Sequence, residues 1–197
     1  LSVVSLSGGV KVTKTFKNIK NVVSMTADDK GNVVGVTERG EVFWVRDGKI
    51  INTPKGISRF KDCNEVCFLK DGQLYMGTTG NLIYIFDMKS GQPRLKDKIG
   101  IKGFESVNCF YQTENDKIFV CSDTGVAVLD KNGGCHRLNT NNFNSSIDSM
   151  LVDYQGNLWF SSSRLGLLEM CESSFEEIFQ NIGITAVVNS TEKWNGL

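Results

Sequence analysis

Residues 147–168 run Ile147-Asp148-Ser149-Met150-Leu151-Val152, then Asp153-Tyr154-Gln155-Gly156-Asn157, then Leu158-Trp159-Phe160-Ser161-Ser162-Ser163-Arg164-Leu165-Gly166-Leu167-Leu168. Two apolar runs flank Asp-x-x-Gly-Asn, and a third follows a second glycine. Asp, Gly and Asn tolerate the left-handed backbone of a tight hairpin, so the stretch predicts three strands joined by two turns. No run has the length or the 3.6-residue spacing of a helix.

The same order recurs upstream. Val22-Val23-Ser24-Met25 leads through Asp28-Asp29-Lys30-Gly31-Asn32 to Val33-Val34-Gly35-Val36 and Val42-Phe43-Trp44-Val45. Val66-Cys67-Phe68-Leu69 leads through Lys70-Asp71-Gly72-Gln73 to Leu74-Tyr75-Met76 and Leu82-Ile83-Tyr84-Ile85-Phe86. Val107-Asn108-Cys109-Phe110 leads through Glu114-Asn115-Asp116-Lys117 to Ile118-Phe119-Val120-Cys121 and Val126-Ala127-Val128-Leu129. The turn positions Gly31, Gly72, Asp116 and Gly156 are 41, 44 and 40 residues apart. A period near 40 built of short apolar runs and turn residues predicts one four-stranded blade per repeat, the sequence signature of a β-propeller. The repeats fall at about 21–60, 61–103, 104–143 and 144–181. The aromatic residue after each turn (Tyr75, Phe119, Trp159) is expected between blades, with Trp159 buried and Trp44 only partly covered.

The ends complement each other. Residues 1–20 carry the pattern of a second and third strand, and residues 182–197 that of a first strand at Ile184 to Asn189, with the turn position at Asn195-Gly196. Residues Ser173 to Gln180 are expected to form an outer strand. The prediction is therefore all-β: a propeller of about five four-stranded blades, four intact and one split between the termini. An arc of a larger seven-bladed ring is the other arrangement the repeats allow, and pairing of the termini between two molecules would give a homodimer. The chain begins at Leu1 without a leader-like series, so it is expected to be a piece of a longer protein.

Lys plus Arg number 22 and Asp plus Glu 22, and this zero net charge removes the usual electrostatic basis for nucleic-acid binding. The longest apolar run, Leu82 to Phe86, is too short to cross a bilayer, so a membrane would be reached only through segments outside this chain. Six cysteines without a Cys-x2-Cys pair, and one histidine, His136, give no zinc spacing; no metal or other cofactor is implied. The cysteines are expected to be mostly free, small and buried, with Cys67 and Cys109 in the first-strand position that Ser24 and Ser149 hold in sister repeats.

The fourth repeat resembles the two-component-regulator propeller repeat, closely over residues 147–168, moderately over 22–45 and 66–86, and weakly over 107–129, where Asp116 replaces the turn glycine. In that family such repeats build the extracytoplasmic ligand-sensing region of bacterial membrane receptors, whose outputs are histidine kinases, hybrid regulators or diguanylate cyclases; several members respond to carbohydrate fragments. The resemblance implies a non-catalytic sensor on the periplasmic or cell-surface side, with a small-molecule or oligosaccharide ligand. Its matching residues are scaffold, so no binding residue transfers through them.

Site candidates come from position instead. Propeller rims read ligands where loops enter and leave the inner strands. Those loops carry Asn64, Glu65, Glu105 and Ser106, and the residues singled out for ligand binding are Arg39, Arg164, Asp123, Asn108 and Asp148. Arg39 and Arg164 share one repeat position and offer forked donors. No catalytic residue is assigned: His136 is expected on an outer strand, and Asp28, Asp29, Asp71, Asp116 and Asp153 belong to turns. Two other classes fit a neutral propeller. A protein-interaction scaffold of the WD type would carry Trp-Asp and Gly-His dipeptides, which the sequence lacks; a carbohydrate-active enzyme would converge inner-strand acids.

Overall fold

Each Asp-x-x-Gly-Asn stretch folds into the hairpin its chemistry dictates. Asp28 Oδ1 accepts the Lys30 and Asn32 backbone N–H groups at 2.9 and 2.8 Å, while Oδ2 accepts the Asn32 amide at 2.7 Å. Asp153 repeats the pattern with the Gln155 and Asn157 N–H groups and the Asn157 amide, each at 2.9 Å. The glycine that follows sits at positive φ, 75° at Gly31 and 92° at Gly156, where a side chain would be strained. In the third repeat Thr113 takes the capping role toward Lys117, and Asp116 accepts the left-handed conformation at φ 63°.

The computed structural model describes residues 1–51, 59–68, 72–88, 93–130 and 134–171. A hairpin of β1 (Ser2–Ser5) and β2 (Lys11–Thr15) comes first. Blade 1 follows with β3 (Val22–Ala27), β4 (Val33–Thr37), β5 (Val42–Arg46) and β6 (Lys49–Ile51). Blade 2 holds β7 (Cys63–Phe68), β8 (Gln73–Thr78), β9 (Leu82–Asp87) and β10 (Arg94–Gly100). Blade 3 holds β11 (Val107–Gln112), β12 (Ile118–Ser122), β13 (Gly125–Leu129) and β14 (Cys135–Arg137). Blade 4 shows β15 (Ile147–Val152), β16 (Leu158–Ser162) and β17 (Gly166–Met170). Every sheet is an antiparallel meander in chain order, and the described residues contain no helix. This is the β-propeller architecture, with the first strands of successive blades in contact with one another.

The cores lie between blades. Because strand side chains alternate, each sheet has one face toward the preceding blade and one toward the next. Val34, Val36, Val42 and Trp44 of blade 1 pack on Val66, Leu74, Met76 and Phe86 of blade 2. Tyr75, Ile83 and Ile85 of blade 2 pack on Phe110, Val120 and Leu129 of blade 3, with the Tyr75 and Phe110 rings edge to face at 5.8 Å. Phe119, Cys121, Val126 and Val128 of blade 3 pack on Met150 and Phe160 of blade 4. The first hairpin joins the series through Leu1, Phe16 and Ile19, which meet Phe43 and Val45. Gly77 is required by this approach, since a Cβ there would lie 2.4 Å from Val107 Cγ1.

The tryptophans reverse the sequence expectation. Trp44 is 2% exposed, packed toward blade 2, and Trp159 is half-buried. Trp159 does hold the position of Tyr75 and Phe119, but that position faces the following blade. On blade 4 this face also carries Leu151 and Leu167, 54% and 71% exposed. The first strand expected at Ile184 to Asn189, the turn at Asn195-Gly196 and the outer strand at Ser173 to Gln180 lie outside the described residues, as do Lys70 and Asp71 of the second turn.

All four first strands bulge at one place. Pairing slips between Val22 and Ser24, Cys63 and Glu65, Val107 and Cys109, and Ile147 and Ser149. The bulge fixes the register and corrects one alignment: the residue equivalent to Ser24, Cys109 and Ser149 is Glu65, and Cys67 pairs with Tyr75 two positions further on. The second repeat keeps the same nine-residue distance from strand start to turn glycine only when it starts at Cys63.

Candidate functional site

Antiparallel pairing places the start of each first strand beside the end of its second strand, so residues around 22, 63, 107 and 147 share one rim with the loops after 37, 78, 122 and 162. A bulge re-aims the residue it unpairs. Val23, Asn64, Asn108 and Asp148 hold that unpaired position, and the two asparagines use it to reach the next blade. Asn64 Nδ2 donates to the Val107 carbonyl at 2.8 Å, and Asn108 Nδ2 donates to the Ile147 carbonyl at 3.1 Å.

These bonds assemble a polar network. Asn108 Nδ2 also donates to Asp123 Oδ1 at 2.9 Å, while Asn108 Oδ1 accepts the Ser106 hydroxyl at 3.3 Å and the Asn64 amide at 3.3 Å. Asn108 is half-buried and the Asp123 side chain exposed. On the next blade exposed Asp148 accepts the Ser163 N–H through Oδ2 at 2.6 Å, which ties it to the loop carrying exposed Arg164. Of the five residues singled out from sequence, the structure therefore joins Asn108 to Asp123 directly and sets Asp148 beside the Arg164 loop. Arg39 stands apart on blade 1, its carbonyl accepting Arg59 Nε at 3.3 Å. Nearby, a cleft of about 590 Å³ lies between the segment leading into blade 2, with Arg59, Phe60 and Asp62, and blade 2 residues Thr79, Asn81 and Tyr84.

Glu65 was one rim residue among several in the sequence; the structure sets it apart. Burial pushes its carboxyl up to about 7, against the opposing hydrogen bond from Ser24. The same surroundings raise the Cys67 thiol to about 12, through burial first and then the Glu65 and Cys109 charges. Counting nine residues back from Gly72 was the signal that could have placed Glu65 on the inner strand opposite Gly77. The acids of the turns are differently held. Asp153 is lowered from the ordinary carboxylate value, chiefly because Trp159 Nε1 donates to it at 3.0 Å, with further donors from Asn157 and Gln155. His136 sits on outer strand β14, 58% exposed, with Nδ1 3.7 Å from Asp130.

The rim thus offers exposed carboxylates, exposed guanidinium groups and half-buried amides on a β-scaffold. Residues 141–164 match the family model described as two component regulator propeller. The stretch is similar to a repeat of that family. Among curated proteins none matches. Solved propellers share the fold at low identity. The extracellular domain of a B. thetaiotaomicron protein described as a hybrid two component system aligns with a TM-score of 0.61 at 15% identity, over 83% of this chain and 23% of that one. Virginiamycin B lyase from Staphylococcus aureus aligns with a TM-score of 0.55 at 15% identity, over 78% of this chain and 56% of that one. A structure described as YCF48 bound to D1 peptide aligns with a TM-score of 0.67 at 14% identity, over 84% and 55%. The chain thus spans about half the length of the lyase and under a quarter of that extracellular domain.

Proposed function

We propose that this segment is part of the ligand-sensing, extracytoplasmic propeller of a bacterial signalling protein, with a kinase, hybrid-regulator or cyclase output elsewhere in the protein. The observation that carries the reading is the two component regulator propeller repeat at 141–164, set on the blade that also presents Asp148 and Arg164 at the rim. The extracellular receptor domain of the same architecture supports the location. A small, hydroxyl-rich ligand such as an oligosaccharide suits a rim of amides, carboxylates and arginines on a chain of zero net charge, because such a ligand is bound by many directional hydrogen bonds rather than by a field.

Calorimetric titration with a panel of oligosaccharides and short peptides tests this. Saturable oligosaccharide binding is expected, weakened at least tenfold by Asp148→Ala and by Arg164→Ala. Peptide binding in its place would favour the scaffold reading, which the peptide-bound neighbour supports. The segment is read as non-enzymatic even though lyases share its fold. One solved lyase is a catalytically inactive histidine variant, whereas the only histidine here is on an outer strand. Recovery of the bound ligand chemically unchanged is expected, and a converted product would overturn that part.

A further inference from the structure

We propose that Cys109 and Cys121 are a dithiol that closes into a cross-strand disulfide within blade 3. The two residues are direct partners on β11 and β12. Opposed residues of an antiparallel pair have Cα atoms about 4.5 to 5.5 Å apart, inside the span of a disulfide. Both side chains leave the sheet on the same face, toward blade 4, within one cluster with Phe119, Val126 and Phe160. The other four cysteines are placed differently: Cys63 and Cys67 share β7, Cys135 is on β14, and Cys171 follows β17.

The environment divides the roles. The neighbouring Cys121 thiol, with the Met150 N–H and the Ser149 hydroxyl of blade 4, holds Cys109 below the ordinary thiol range, against burial and the Glu65 charge. Cys121 is fully buried, and the neighbouring Cys109 thiol and burial push its own titration upward. Half-buried Cys109, the more accessible of the two, is the attacking thiol, and fully buried Cys121 the resolving thiol. With oxidised glutathione as oxidant, the Cys109 thiolate attacks one glutathione sulfur and expels the other half as a thiolate. Cys121 then loses its proton and attacks the Cys109 sulfur of the mixed disulfide, expelling the second glutathione. Two thiols lose two electrons and two protons, and one glutathione disulfide becomes two glutathione thiols.

Blade 4 holds Ser149 opposite Ser161 at the equivalent register, so serine at 109 and 121 reproduces a pair the fold already accommodates. The full chain is equilibrated with oxidised glutathione, quenched in acid, unfolded and alkylated, then digested with trypsin, which cuts after Lys117 between the two cysteines. The expected result is one disulfide-linked peptide pair containing Cys109 and Cys121, with the other four cysteines alkylated. Dithiothreitol should lower Tm in the wild type and leave Tm unchanged in the Cys109→Ser, Cys121→Ser double variant. Alkylation of both residues, glutathione retained on Cys109, or a link through another cysteine would each overturn the proposal, and peptide mapping decides it even if the double variant fails to fold. The chemistry is read in vitro, so its outcome is separate from where the protein resides or what it senses.

Discussion

A half-buried carboxyl beside a serine hydroxyl gives Glu65 a distinct pH signature. In the folded chain it keeps its proton up to about pH 7, and in the unfolded chain only up to the ordinary value of 4.5. Between these values the folded state binds more protons, so this contribution to stability is complete below 4.5 and is lost as pH rises through 7. Glu65→Gln cannot ionise and should remove that decline. Tm of both proteins across this range checks it, and parallel curves would count against the assignment. Asp28 and Asp153 act in the opposite sense: both are held below the ordinary 3.8, so their stabilisation is present above that value and fades as pH falls through their lower folded values. For Asp28 burial works against the lowering, and the Asn32 and Lys30 donors outweigh it. The tryptophans give a second expectation at this scale. Trp44→Ala should cost about 3 to 5 kcal/mol as a large-to-small change in a closed core, and Trp159→Ala distinctly less, as read by urea unfolding. Sequence alone reversed that order because the repeat shows which position is aromatic without showing which blade, if any, covers it.

The element that organises the rim is the bulge on each first strand. Asn108→Ala removes donors to Ile147 and Asp123 and should cost about 1 to 3 kcal/mol, the range for a half-buried hydrogen-bonded group. Asn108→Asp should be worse, because it sets a second carboxylate against Asp123 and an acceptor against the Ile147 carbonyl. Equal stability of the two variants in denaturant unfolding would argue against the clamp. Strands and turns were legible in the sequence because their chemistry is local: Asp153 and Gly156 announce a hairpin wherever they occur together. The bulge was not legible, since one unpaired residue leaves composition and periodicity almost unchanged. It misplaced Cys67 against Ser24 and concealed Glu65. Of the candidate site, the membership of Asn108 and Asp123 in one rim followed from repeat position, whereas the reach of Asn64 and Asn108 into a neighbouring blade depends on tertiary approach.

For the molecule as a whole, the complementary termini lead to the proposal that residues 182–197 supply a first strand to the sheet begun by β1 and β2. Deleting 182–197 should lower Tm sharply or drive association through an unpaired strand edge, as seen by light scattering. A monodisperse protein with unchanged Tm would separate the two ends. The described blades already show the general arrangement: every hydrophobic cluster takes one wall from one repeat and the other wall from its neighbour. Duplicating a single repeat in the gene therefore delivers a blade and a matching contact surface in the same event, and such a fold can lengthen with no new interior to invent. The corollary concerns inheritance: compensating substitutions should pair across adjacent repeats, Trp44 with Phe86 or Tyr75 with Phe110, rather than within one, so the unit under selection is the seam between blades.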